Sequence, residues 1–253
     1  MQEFINLANY MADEAGEIIH RHFRTSFDVE TKADETPVTI ADRAVERALR
    51  DIIERQRPED GILGEEYDSR EGQSGYIWIF DPVDGTTKFA VGCPTFTTLI
   101  SLWKDDTPLL GLIDQPISKE RWLGVKGQKT TLNGRDIQTR PCASIGEAFA
   151  SATTPVMFKD RGATLEKACK SFVWGKDGYA YGLLASGFLD AVAESDMGPY
   201  DYAAMPPIIE GAGGLMCDWN GAPLTLTSPK EKSRVLALGD QRLKKDMLKL
   251  LNA

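Results

Sequence analysis

The stretch YIWIFDPVDGTTKF, residues 76–89, runs from an apolar segment straight into two acids three positions apart, with a proline between them and Gly85-Thr86 behind. Tyr76 to Phe80 reads as a buried strand, because apolar residues fill consecutive positions and so both of its faces need cover. Uncompensated carboxylates at the end of such a strand are costly. Two arrangements avoid that cost. Either Asp81 and Asp84 lie in a solvated proline turn, with Asp84 capping a helix that starts near Thr86, or a cation belongs between them.

With 253 residues and 42% hydrophobic content, the chain can bury a substantial core. Its 38 acids against 29 bases give a net charge of -9, a balance that disfavours nucleic acid or an anionic membrane as the main partner. An acidic protein that handles an anion needs metal ions to do so. The first twenty residues, MQEFINLANYMADEAGEIIH, carry acids where a signal peptide carries bases, and no run approaches 18 apolar residues, so a cytoplasmic location is expected. Cys93, Cys142, Cys169 and Cys217 stand singly, which suits buried free thiols better than a zinc site or a disulfide scaffold. The two histidines, His20 and His22, share one apparent helix and lack the partners of a triad or zinc centre.

Apolar residues at helical spacing predict helices over about 3–24 and 40–56, with the polar KADETPVTIAD (32–42) as a loop before the second. Strands are expected at 61–63, 76–80, 95–103, 109–113 and 121–125, with a turn at Asn133-Gly134. Beyond about residue 142 the pattern gives a strand at 148–152, a helix at 179–187, a strand at 189–193, and helices at 201–210 and 241–251. No repeat or linker divides the chain. An N-terminal half of about 1–141 and a C-terminal half of about 142–253 are therefore expected to form a single α/β body.

Acids recur at element boundaries: Asp42 after the polar loop, Glu65-Glu66 after Ile62-Leu63, Asp81 with Asp84, and Asp201 before an apolar helix. Each alone is as well explained by a solvated turn or a helix cap. As a set, Glu65, Asp81, Asp84 and Asp201 with the Val83 carbonyl offer hard oxygen donors suited to Mg²⁺, with positions left for water. The Gly85 and Thr86 amides open the following helix, where free N–H groups favour a phosphate.

The ordered motifs GEE (64–66), DPVDGT (81–86) and YDYAAMPPIIEGAGG (200–214) resemble those of the inositol monophosphatase superfamily, magnesium-dependent and lithium-sensitive phosphatases. KADETPVTIAD and Glu194 fit as well, so the resemblance spans almost the whole chain. It implies the layered α-β-α-β-α sandwich shared with fructose-1,6-bisphosphatase, two or three Mg²⁺ per site, a small phosphate ester as substrate, and a homodimer. Position by position, it implies that Glu65, Asp81 and the Val83 carbonyl hold one metal, and Asp81, Asp84 and Asp201 a second. Glu65, Thr86 and Asp42 would form the catalytic set, Thr86 linked to Asp42 orienting the attacking water. Gly85 and Thr86 amides would bind phosphate, Glu66 would support Glu65, and Lys32 and Asp34 would lie in a loop that admits a third metal.

Substrate identity must come from the second half. Here Tyr200-Asp201 replaces the Trp-Asp of inositol phosphatases, and Asp177 replaces a small neutral residue. Those departures, with TTPVMF (153–158), look more like the histidinol-phosphatase branch. Histidinol phosphate, of histidine biosynthesis, carries an ammonium and an imidazole that the carboxylates of Asp177 and Glu194 would bind. Alternatively, Asp177 caps the helix starting near Gly178. Inositol-1-phosphate is the second candidate substrate and a nucleotide 3'-phosphate the third. A catalytically silent scaffold of the same fold is expected to lack a ligand, and none of Glu65, Asp81, Asp84, Thr86 and Asp201 is missing.

Overall fold

The computed structural model describes residues 1–25, 29–31, 37–226 and 232–252. In chain order the elements are α1 (Gln2–His22), β1 (Val29–Thr31), β2 (Pro37–Thr39), α2 (Ile40–Gln56), β3 (Gly61–Gly64), β4 (Tyr76–Asp84), α3 (Thr86–Ala90), β5 (Thr97–Lys104), β6 (Thr107–Gln115), β7 (Glu120–Val125), β8 (Thr131–Leu132) and β9 (Arg135–Asp136). The second half adds β10 (Phe149–Ala152), α4 (Gly162–Ala168), β11 (Ser171–Trp174), α5 (Tyr179–Ala185), β12 (Ala191–Met197), α6 (Pro199–Tyr202), α7 (Met205–Gly211), β13 (Leu215–Asp218), β14 (Ser233–Leu238) and α8 (Lys244–Leu251).

Two sheets form the frame. Seven strands in the order β3-β4-β5-β6-β7-β8-β9 make the first, antiparallel except for the β3–β4 pair. Five in the order β11-β10-β12-β14-β13 make the second, parallel on one side and antiparallel on the other. Period-two alternation assigns each side chain to a layer. In β5 and β6, Ile100, Leu102, Leu110 and Leu112 pack under α1 and α2, while Leu99 and Ile113 face α5 and α7. In the second sheet Val192, Val235 and Ala237 meet the same two helices from the other side, and Ala191, Ala193, Leu236 and Leu238 turn outward onto α4 and α8. The result is five layers, helix-sheet-helix-sheet-helix, the sandwich that the motif resemblance implies.

Several expectations change. Residues 37–39 are not loop; they pair with β1 as an antiparallel ribbon. Lys32 and Asp34 lie outside the described residues. β4 does not stop at Phe80. It continues to Asp84 across a bulge, since Asp81 opposes Leu99 while Asp84 opposes Thr97, and Pro82, which cannot donate to a ladder, falls inside that irregularity. The helix expected over 201–210 is two, because Pro206 and Pro207 are tolerated only in a first turn and force a restart at Met205. β12 begins later and extends further than expected, which puts Glu194 inside a strand. The helix α4 and the strands β11, β13 and β14 go beyond the sequence reading. Cys142, Cys169 and Cys217 are buried free thiols, whereas Cys93 is half-buried.

Candidate active site

The β4 bulge sets the chemistry. It turns Asp81 and Asp84 toward Asp201 at the start of α6, and carboxylate oxygens of the three lie within 4.8 Å of one another. Each acid is tethered through one oxygen. Val83 N donates to Asp81 Oδ1 at 3.1 Å, Gly198 N to Asp201 Oδ2 at 2.6 Å, and both Thr97 Oγ1 (3.2 Å) and Gly178 N (2.5 Å) to Asp84 Oδ2.

Electrostatically the cluster is strained. Burial, then the nearby Glu65, Asp84 and Asp201, pushes Asp81 well above the ordinary carboxylate range. Burial, then Asp177 and Asp201, does the same to Asp84. Asp201 is pushed up to about 7, first by burial and then by Glu65. Acids held this close ask for a cation. The donors are all oxygen, without His or Cys, so a hard ion such as Mg²⁺ fits them better than a soft one. The described residues thus suit the metal that the motifs imply. Of the proposed ligands, Asp81, Asp84 and Asp201 meet directly. Glu65, on the turn after β3, lies within electrostatic reach of Asp81, Asp201 and Asp42.

Gly85 adopts φ 84°, a left-handed turn that an L side chain resists, and this swings the chain from β4 into α3. Thr86 follows. Its hydroxyl lies 3.2 Å from Asp42 Oδ1 and 3.2 Å from the Val83 carbonyl. Asp42 is fully buried at the third position of α2, where Oδ2 accepts from Thr39 N (2.9 Å) and Thr39 Oγ1 (2.5 Å). Burial raises the Asp42 carboxyl, against those bonds.

Asp177 and Glu194 meet partners the sequence did not announce. Asp177 does not cap α5, whose N-cap is Gly178 without a side-chain bond. It sits at φ 47° with Oδ2 3.1 Å from Lys88 Nζ. That is ion-pair range, and among the described residues the buried oxygen has no further partner. Glu194 is buried against Thr153 Oγ1 at 3.0 Å, and burial pushes it up to about 8. Burial thus shifts it toward the neutral acid, which can donate a hydrogen bond. Lys88, Thr97, Thr153 and Glu46 are contributors that the sequence reading missed. Glu46 had a signal: with Asp42 it interrupts the apolar stripe of α2.

Surface grooves of about 610 and 680 Å³ lie elsewhere. In the first, Arg121 already bridges Asp114 at 2.6 Å and Asp13 at 2.8 Å, so its charges are spent within the protein.

A sequence profile of the Inositol monophosphatase family matches residues 1–252. The chain belongs to the inositol monophosphatase family. With it the chain joins the phosphoric monoester hydrolases, and the family's dependence on metal agrees with the acidic cluster. Among relatives of this family member, the bifunctional phosphatase IMPL2, chloroplastic, of Arabidopsis thaliana is 45% identical over 227 residues, covering 87% of this chain and 66% of that protein. The chain thus spans about two thirds of that relative's length. A histidinol-phosphatase of Chlorobaculum parvum is 34% identical, covering 86% of each chain. Among solved structures, an inositol monophosphatase from Zymomonas mobilis superposes with TM-score 0.88 at 41% identity, covering 100% of this chain and 98% of that one. No helix among the described residues is long and apolar enough to cross a membrane.

Proposed function

We propose that the chain is a Mg²⁺-dependent phosphomonoesterase whose preferred substrate is L-histidinol phosphate, hydrolysed to L-histidinol for histidine biosynthesis. The observation that carries the substrate is Asp177: a largely buried carboxylate close to Asp84, held among the described residues only by an ion pair with Lys88 at 3.1 Å, can exchange that partner for a substrate cation. Relatives named histidinol-phosphatase support the reading. Asp81, Asp84, Asp201, Glu65 and the Val83 carbonyl would hold two or three Mg²⁺, which supply charge stabilisation at the phosphate and the leaving oxygen. Asp42 accepts the hydrogen bond of the Thr86 hydroxyl, so that a Thr86 lone pair can accept from the attacking water and aim it. The Gly85 and Thr86 amides hold phosphate oxygens, and Glu194 in its neutral form donates to the organic part. We place the enzyme in the cytoplasm as a lithium-sensitive homodimer, each subunit one working unit of N- and C-terminal halves, with no nucleic-acid partner.

Inositol-1-phosphate is the second reading, favoured by the inositol monophosphatase from Zymomonas at 41% identity. Phosphate release from histidinol phosphate, inositol-1-phosphate and adenosine 3',5'-bisphosphate, each with Mg²⁺ and with EDTA, separates them. All activity should need Mg²⁺. Asp177→Asn keeps the shape and removes the charge. A charge-assisted bond is worth roughly 1.5–3 kcal/mol, so kcat/KM for histidinol phosphate should fall on the order of 10- to 100-fold while inositol-1-phosphate hardly changes. Equal losses on both esters would make Asp177 structural and return the choice to inositol-1-phosphate.

A further inference from the structure

We propose that Glu46 is a positioning residue for the metal site, fixing the turn that carries Glu65 before any cation binds. The proposal rests on the reading of Glu65 as a metal ligand. Glu46 lies one helical turn after Asp42 on α2 and is fully buried. Its Oε2 accepts Glu66 N at 2.7 Å, and its Oε1 accepts Tyr67 N at 3.2 Å and Arg50 Nε at 2.8 Å. Arg50, one more turn along, donates its terminal nitrogen to the Tyr67 carbonyl at 2.9 Å. Two side chains of one helix therefore hold two amides and a carbonyl of the turn.

The fit is steric as well as polar. A Cβ on residue 64 would stand 2.1 Å from Glu46 Oε1 and 2.3 Å from its Cδ, which no real contact permits. Only glycine lets the carboxylate reach the amides beyond it. Glu65 is bracketed, with Gly64 seated on the Glu46 carboxylate on one side and the Glu66 amide bonded to it on the other. Its backbone cannot move without breaking that arrangement.

Packing alone does not explain a glutamate here. A leucine of similar size would bury apolar area at that position, whereas an acid is disfavoured by burial, which raises its pKa against the bonds from the Glu66 amide and Arg50. What the acid provides is geometry. Asp42 and Glu46 share one face of α2 four residues apart, so a single rigid helix sets the Asp42–Thr86 pair and the Glu65 turn relative to each other. Asp60 is the useful contrast. It is an equally buried acid bonded to Arg57, Ser74 and Trp78, and it touches none of the site residues.

The test is the Mg²⁺ dissociation constant, measured by calorimetry on metal-free chain, with melting temperature recorded in parallel. Glu46→Gln replaces one acceptor oxygen with an amide that faces N–H donors, and Gly64→Ala displaces the carboxylate while keeping every charge. Both should weaken Mg²⁺ binding on the order of 10- to 100-fold, as loss of a ligand's support does. Asp60→Asn should lower the melting temperature and leave Mg²⁺ affinity at the wild-type value. A folded Glu46→Gln that binds Mg²⁺ as tightly as wild type overturns the proposal. Hydrogen exchange on the wild type needs no variant: the Glu66 and Tyr67 amides should be protected without metal. Amides that exchange freely until Mg²⁺ is added would also overturn it, because the ion and not Glu46 would then order the turn. Glu65→Gln with unchanged Mg²⁺ affinity would instead remove Glu65 from the metal site, and the underlying assignment would fail first.

Discussion

Thr86 has one proton and two acceptors equally near, Asp42 Oδ1 and the Val83 carbonyl. Which one takes it decides what the hydroxyl can do. If the Val83 carbonyl is engaged by a cation, the proton goes to Asp42, and a Thr86 lone pair is left for water. Thr86→Ala removes the hydroxyl that would aim water but keeps the backbone amide that would hold phosphate. We expect kcat to fall by ~100-fold or more, as for loss of a group that handles the reacting proton, with KM nearly unchanged. Thr86→Ser should recover most of the loss. If melting temperature falls while kcat holds, Thr86 is a turn residue only. Lys88 makes a related point at the same scale. By standing 3.1 Å from Asp177 it occupies the charge that a substrate ammonium would use, so the selectivity of Asp177 depends on how readily that pair opens.

At the level of elements, α2 is the part most legible from sequence and also the one that carries most of the support. Its apolar spacing places it at residues 40–56, where it is found. Burial of Val45, Leu49, Ile52 and Ile53, at about 1.5–3 kcal/mol each, outweighs the cost of two hydrogen-bonded acids on the same face. Its start is a capping box in which Thr39 Oγ1 receives Ala41 N at 3.2 Å and donates to Asp42. Thr39→Val should therefore cost ~1 kcal/mol of stability and also lower kcat, because Asp42 loses one of the two bonds it accepts from Thr39. Unchanged kcat in the destabilised variant would show that the cap does not set Asp42. Other elements were less legible for physical reasons. β11 and β13 are four residues long, too short for a period to show, and are defined by pairing with distant strands. The β4 bulge was hidden because the acids look like the end of a strand, and only the register against β5 shows that pairing resumes at Asp84. DPVDG, GEE and the late Tyr200-Asp201 marked three corners of the site. The supports from Lys88 and Thr153 arise from packing between separate elements, which spacing along the chain does not encode, whereas Glu46 left a trace as a break in the apolar stripe of α2.

Across the whole molecule, five layers bring buried acids together where the two sheets and their helices meet. Asp42, Asp81 and Asp84 are all held above the ordinary range, first by burial, with Asp201 at about 7 and Glu194 at about 8. A carboxyl raised in the folded state contributes stability that is fully present below its unfolded value, near 4, and lost as pH rises through the folded value. Without metal, then, the fold should weaken from about pH 5 to pH 8, the window set by Asp201 and Glu194. A divalent cation reverses the preference, since it favours the ionised acids and binds the folded state alone. Melting followed in EDTA and in saturating Mg²⁺ at several pH values reads this directly. In EDTA the midpoint should drop by roughly 5 °C or more across that window, and the gain from Mg²⁺ should be larger at about pH 8 than at about pH 6. Asp201→Asn removes one of the titrating acids and one ligand together, so its EDTA curve should be flatter and its Mg²⁺ gain smaller. A flat EDTA curve, or a Mg²⁺ gain that does not grow with pH, would mean that the acids are satisfied within the protein, and the electrostatic case for a cation among Asp81, Asp84 and Asp201 would fall.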